Sequence, residues 1–154
     1  MMRRGFVLLI AGSTAFLAWG GHVATQNRFP DGPGRVELQK VCSGCHEPDN
    51  VFAYAQTASE WAETLEKMAQ AGAEGTAEEW RLIELYLDAH FALIPINTAN
   101  SGELQRTMHI PKPVADAIVK YRAENGRFKT IDDLKKVTGL DAAKVEARKD
   151  RFVF

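Results

Sequence analysis

The stretch Glu103-Leu104-Gln105-Arg106-Thr107-Met108-His109-Ile110-Pro111 recurs thirty residues later as Asp133-Leu134-Lys135-Lys136-Val137-Thr138-Gly139-Leu140-Asp141. The match extends to Ala117 and Ala147, an internal repeat. Each copy reads as a short helix, a tight turn and a second helix. In the first copy Val114, Ala117, Ile118 and Tyr121 share one face of that second helix. Two such hairpins packed on each other make a compact module over residues 95–154. Upstream, Thr57-x-x-Glu60 and Thr76-x-x-Glu79 are capping boxes, each ahead of an amphipathic run. Trp61, Leu65 and Met68 fall on one face of a helix that Gly72 would end. Ile83, Tyr86, Leu87, His90 and Phe91 form the next stripe. No alternating strand pattern is evident after Gly34, so the predicted class is all-α. Ile94-Pro95-Ile96 joins the two units by a connection too short for a flexible tether.

The chain has 154 residues, 45% of them hydrophobic and 25% charged, which excludes a disordered tail, a collagen and a polytopic membrane protein. Charge divides it. Residues 35–94 carry Arg35, Lys40, Lys67 and Arg81 against eleven acids, net -7, whereas residues 95–154 carry twelve bases against eight acids, net +4. Two modules of opposite sign are expected. The N-terminus places Arg3 and Arg4 before an uncharged run from Gly5, the pattern of an export signal over residues 1–20. Ala18-Trp19-Gly20 offers a small-x-small cleavage site, and the same run is nearly long enough to serve as an uncleaved membrane anchor. Either way the positive-inside rule puts the remainder outside the cytoplasm, so a periplasmic chain is expected, soluble or N-terminally anchored. Residues 21–33, with Pro30-Asp31-Gly32-Pro33, read as a linker.

Both cysteines lie in Cys42-Ser43-Gly44-Cys45-His46, a C-x-x-C-H motif of the kind that attaches c-type haem. Two thiols three positions apart would each bond one vinyl group, and the adjacent imidazole would reach the iron. A thioredoxin-like reading would want a βαβ context. A zinc site would want two more ligands, and a simple disulfide leaves His46 without a role.

With Gly34 and Leu38 eight and four residues before Cys42, Pro48 after the motif, and the helix through Ile83-Glu84-Leu85-Tyr86-Leu87, residues 34–92 resemble the class I cytochromes c. That resemblance implies a haem domain over 34–94, one covalently bound haem c and one-electron transfer. In this segment Met68 is the one methionine and His90 the one histidine besides His46, so they are the two candidates for the second axial position. Met68 is preferred, because Trp61-x-x-x-Leu65-x-x-Met68 followed by Gly72-Ala73 is similar to a compact subgroup of that family, which the resemblance implies has its axial methionine on this helix, and because a thioether suits ferrous iron. Haem buried against Trp61, Leu65, Ile83 and Tyr86 would staple a module whose own core is thin.

Ile96-Asn97-Thr98-Ala99, Ala117-Ile118-Val119-x-Tyr121-Arg122-x-Glu124-Asn125-Gly126-x-Phe128-Lys129 and Asp133-Leu134 through Leu140 resemble the helix-hairpin-helix domain of competence-type exported DNA-binding proteins. In that family each turn is Gly-hydrophobic-Gly, whose free backbone N–H groups cradle a DNA phosphate. Here the turns read His109-Ile110-Pro111 and Gly139-Leu140-Asp141. Pro111 and Pro113 have no N–H to donate, and Asp141 sets a carboxylate at the second turn. Lys112, Lys144, Arg148, Lys149 and Arg151 form a basic cluster, so Lys112, Gly139, Lys144, Arg148 and Lys149 are candidate contacts to DNA or to a partner protein.

The leading expectation is a periplasmic monohaem cytochrome c, not an enzyme, whose hairpin module docks it on a redox partner such as a dehydrogenase or oxidase. Its site would be Cys42, Cys45, His46 and Met68. The alternative is an exported DNA-binding helix-hairpin-helix protein in which a haem domain is a redox sensor or a structural staple. Direct membrane contact is expected only through an uncleaved N-terminus.

Overall fold

The computed structural model describes residues 28–154, so the expected export segment and the first part of the expected linker lie outside the described residues. The described chain is mostly helical. Helix α1 spans Arg35–Cys42, α2 spans Ala58–Gln70 and α3 spans Ala77–His90, with a 3-10 turn over Pro48–Ala53 between the first two. Both expected capping boxes form. Thr57 accepts from the Glu60 N–H and Thr76 from the Glu79 N–H, and each glutamate returns a bond to its cap residue. The α1–α3 crossing is set by Gly34, the residue before α1, at φ +94°. A Cβ there would meet the Leu82 carbonyl oxygen at 2.2 Å, so only glycine admits the approach.

Leu38, Val41, Trp61, Leu65, Ile83, Tyr86 and Leu87 form the first core. Phe29 joins it, 5% exposed, with its ring 4.9 Å from Phe52 and 6.2 Å from Phe91. The Tyr86 hydroxyl donates to the Pro30 carbonyl at 2.6 Å. Residues 29–30 are therefore packed structure, which corrects their reading as linker. A turn-rich composition hid one large aromatic anchor.

The second module begins with β1, Ile94–Pro95, which pairs in parallel with β2, Phe152–Val153, the last two residues but one of the chain. These strands depart from the all-α expectation, because two residues are too short to show alternation. Between them lie α4 (Ser101–Met108), α5 (Lys112–Asn125), α6 (Ile131–Leu134) and α7 (Ala142–Glu146), then a 3-10 turn over Lys149–Arg151. The repeat persists in the coordinates. Asn100 and Thr130 cap α4 and α6, while Leu104 and Leu134 are both fully buried. Pro111 and Asp141 precede α5 and α7.

The modules are tied by several backbone and side-chain contacts. Arg106 Nε meets the buried Asp88 carboxylate at 2.7 Å. Arg151 is the larger tie. Its guanidinium donates to the carbonyls of Ala92 at 2.8 Å, Ala89 at 2.5 Å and Asp88 at 2.6 Å, closing the open carbonyl end of α3. Burial pulls its pKa down to about 10, leaving it charged near neutrality. Arg151 is thus a structural clamp, not part of a solvated basic cluster.

Candidate functional site

Helix α4 ends one residue before His109, which adopts the left-handed conformation at φ +53°. Thirty residues on, Gly139 adopts the same region at φ +83°. The two turns therefore share a backbone shape although one carries a histidine and the other a glycine. A Cβ on Gly139 would stand 3.5 Å from Val114 of α5, so the second turn lies against the start of the helix that follows the first. After turn one, Pro111 precedes α5 with no side-chain cap, and Lys112 is drawn to Asp116 at 2.7 Å. After turn two, Asp141 accepts from the Ala143 N–H at 2.8 Å. This carboxylate takes a donor that a bound phosphate would otherwise use.

The candidate cations differ in freedom. Lys149 is paired with Glu146 at 3.1 Å. Lys144 is exposed and has no ion pair among the described residues, and Arg148, one helical turn on, donates to the Lys144 carbonyl at 3.4 Å. The buried Nε of Arg148 has no partner among the described residues. Lys144 and Arg148 are therefore the bases most available to an anion at this end of the module. His90 and His109 stand near them, each held below the ordinary histidine range chiefly by burial, with the neighbouring cations adding to the effect. Sequence reading assigned neither histidine to this end of the module, because they sit on different elements.

A second feature lies in the first module. A cleft of about 380 Å³ is lined by Cys42, His46, Trp61, Leu65, Met68 and Leu87, among others. Cys42 is buried and Cys45 exposed, and both thiols are free. Burial pushes the Cys42 thiol up. His46 Nδ1 lies 2.8 Å from the Glu47 carbonyl oxygen and 3.4 Å from Asn50 Nδ2. Cys42, Cys45, His46 and Met68 also share the rim of an adjoining pocket with Trp80. The structure thus brings the four residues together around one space.

His90 is not among the residues lining either space. Its ring packs on Tyr86 at 4.6 Å, facing Gly32. Ile83 and Tyr86, expected to bury the haem, likewise do not line the cleft, and Leu87 takes that place. The Trp61 indole Nε1 is buried with no partner among the described residues. Among the described residues no group of three or more His, Cys, Asp or Glu side chains is arranged to hold a metal ion.

Residues 90–153 match the family model of the helix-hairpin-helix motif. The chain is 51% identical over 49 residues to ComE operon protein 1 of Bacillus subtilis, covering 32% of this chain and 24% of that protein. An uncharacterized protein of Haemophilus influenzae is 38% identical over 60 residues, covering 38% of this chain and 54% of the relative. The endonuclease/exonuclease/phosphatase family domain-containing protein 1 of Xenopus laevis is 45% identical over 51 residues, covering 33% of this chain and 9% of the relative. The chain spans less than two thirds of the length of each. No solved structure matches it.

These findings correct the leading expectation. The C-terminal module is a helix-hairpin-helix module, and neither the family match nor the name of any of these relatives points to a cytochrome c. Among the described residues, side chains alone assemble no metal centre. The identification of the chain as a class I cytochrome c acting in electron transfer is therefore withdrawn, and the DNA-binding alternative fits the comparisons better. With it goes the expectation that DNA is the disfavoured partner, which gave too much weight to the lost turn glycines and too little to the retained turn geometry.

Proposed function

We propose that the chain is an exported DNA-binding protein whose hairpin module grips the phosphate backbone of a duplex. The observation that carries this reading is the pair of left-handed turns at His109 and Gly139, thirty residues apart, with Lys144 and Arg148 beside them. The match of residues 90–153 to the helix-hairpin-helix motif supports it, as does the likeness to ComE operon protein 1. Such contacts are to phosphates rather than base edges, so binding is expected to be strongly salt-dependent and nearly indifferent to sequence. Lys112 and Lys149 contribute less, because carboxylates already hold them.

The test is a titration of the full chain against a labelled duplex at several salt concentrations. A multi-phosphate slope is expected, and Lys144→Ala should weaken binding for every sequence and reduce the slope by about 1. Absence of binding even at low salt would reject the reading.

The cleft supports a proposal about the cofactor of this DNA-binding chain: one haem c, bonded through Cys42 and Cys45, serving as structural staple or redox sensor. The fit rests on the two free thiols, His46 and Met68 on the same cleft, and the unpartnered Trp61 Nε1 that an acidic edge of a bound group would satisfy. When bound, the group would supply a one-electron redox centre. The chain's own residues would fix it in place, the thiols as attachment points, His46 and Met68 as candidate iron ligands and Leu65 and Leu87 as apolar wall. Mass spectrometry and visible absorption of the chain matured in an exporting host test this. A covalent adduct is expected, lost in Cys42→Ala/Cys45→Ala. An unmodified chain with native helix content would reject it.

A further inference from the structure

The first hairpin turn lacks the backbone donors of the second module's ancestral pattern, but it does not lack positive charge. Arg106, three residues before His109, is tied to Asp88 of α3, and Arg151, three residues after Arg148, is tied to the last turn of the same helix. These two anchors bring His109 from α4 and Arg148 from the end of α7 to the C-terminal end of α3, where His90 stands. Across that junction His109 and Arg148 bear on His90, while Arg148 and Lys144 bear on His109.

We propose that His90, His109, Lys144 and Arg148 together form a phosphate contact, built jointly by the two modules, at which one backbone phosphate of a bound duplex is held by side chains. It rests on the DNA-binding reading above and deepens it. His109 occupies the turn position where Gly139 stands in the second copy, so an imidazole replaces a bare backbone at the mouth of the hairpin. Lys144 is exposed and has no ion pair among the described residues, so its ammonium is open to an anion there.

The charged groups acting on His90 are His109, Arg151 and Arg148, and those acting on His109 are Arg148, Arg151 and Lys144. None is a carboxylate. Asp88, on the same turn as His90, faces Arg106, and Asp31, on the segment that passes His90, is bound to Arg35. Tyr86 offers His90 only a ring face. Crowded by cations and partly desolvated, both imidazoles are held neutral near pH 7. An entering phosphate supplies the missing negative charge and favours their protonation. Binding is therefore coupled to proton uptake, and affinity rises as pH falls through the histidine range.

The experiment compares duplex binding by the full chain at about pH 5.5 and about pH 7.5, at constant ionic strength, with affinity expected to rise about tenfold at the lower pH. His90→Gln with His109→Asn should abolish that gain, so that the variant binds equally at the two pH values. Asparagine is chosen at 109 because it tolerates the left-handed backbone. A gain that persists in the double variant, or a wild type that binds equally at both pH values, overturns the shared contact and leaves DNA binding standing.

A second arm follows the imidazole resonances of the full chain by NMR while inorganic phosphate is added. Midpoints of His90 and His109 should rise. That result without duplex binding would keep the anion site and remove the DNA reading. No duplex binding and no phosphate shift would overturn both.

Discussion

The two hairpins descend from one pattern, yet they do different things with it. The first builds long helices: α4 has eight residues and α5 fourteen, against four in α6 and five in α7. Its turn carries His109 and Pro111, and the shorter copy keeps Gly139 but caps its own helix with Asp141. Each also sends an arginine to the end of α3. Arg106 of the first meets a carboxylate, whereas Arg151 of the second meets three carbonyls. The difference teaches that symmetry survives where the backbone must turn and a leucine must be buried. It is lost where the module meets its neighbour.

Removing Arg151 tests that asymmetry most severely. Arg151→Met keeps much of the packing and deletes three charge-assisted bonds, leaving the carbonyls of Asp88, Ala89 and Ala92 open at a partly buried helix end. A loss of about 3–5 kcal/mol is expected by urea denaturation. Arg106→Met deletes one such bond but leaves the fully buried Asp88 carboxylate without its cation, so its loss should approach that of Arg151→Met. A small loss would mean that the junction rests on the carbonyl contacts of Arg151 alone.

The buried leucines probe the shared half of the comparison. Leu104 and Leu134 are each fully buried at equivalent positions. Leu→Ala at either site is expected to cost about 2–5 kcal/mol. Similar values would confirm that the repeat is energetic as well as geometric. A much smaller loss at Leu134 would show that the shorter hairpin relaxes around the cavity.

Asp141→Asn sharpens the contrast between the turns. Asparagine caps a helix about as well as aspartate, so stability should change little. The charge at the mouth of the second turn disappears, and duplex affinity should rise by about threefold to tenfold. Unchanged affinity in a direct binding titration would place the duplex away from this turn.

Much of this was legible because local physics leaves local marks. Thr57 and Thr76 announced two helix starts through a glutamate three residues on, and the Leu104/Leu134 repeat announced the hairpins. Asn100 caps α4 by the same box, with Glu103 as its partner, and could have been read in the same way. Arg151 could not. In sequence it is one more cation in a basic run, and only the fold shows that its guanidinium closes a helix sixty residues away. Phe29 was hidden by its glycine- and proline-rich neighbours. The candidate thiol cleft was foreseeable from Cys42 through His46 and Met68. The cluster of His90 with His109 and Arg148 was not, because no sequence period links a helix end in one module to a turn in the other.

The smallest expected effect separates charge from geometry in the shorter hairpin. Asp133 accepts from the Lys129 N–H at 3.1 Å and from the Lys136 ammonium at 2.8 Å, which holds its carboxyl well below the ordinary range, at about 2. A depressed carboxylate contributes stability that is present above its unfolded pKa of about 4 and is lost as pH falls through its folded value. Asp133→Asn keeps an oxygen for the Lys129 N–H and removes only the charge. The wild type should therefore melt slightly higher than the variant at neutral pH, and the gap should close between about pH 4 and about pH 2. Thermal denaturation across that range measures it. A gap that stays constant would assign the contribution of Asp133 to hydrogen-bond geometry, which Glu103 of the first hairpin supplies through its capping box with Asn100. A closing gap would show that the shorter copy leans on an ion pair to hold the turn that leads into it.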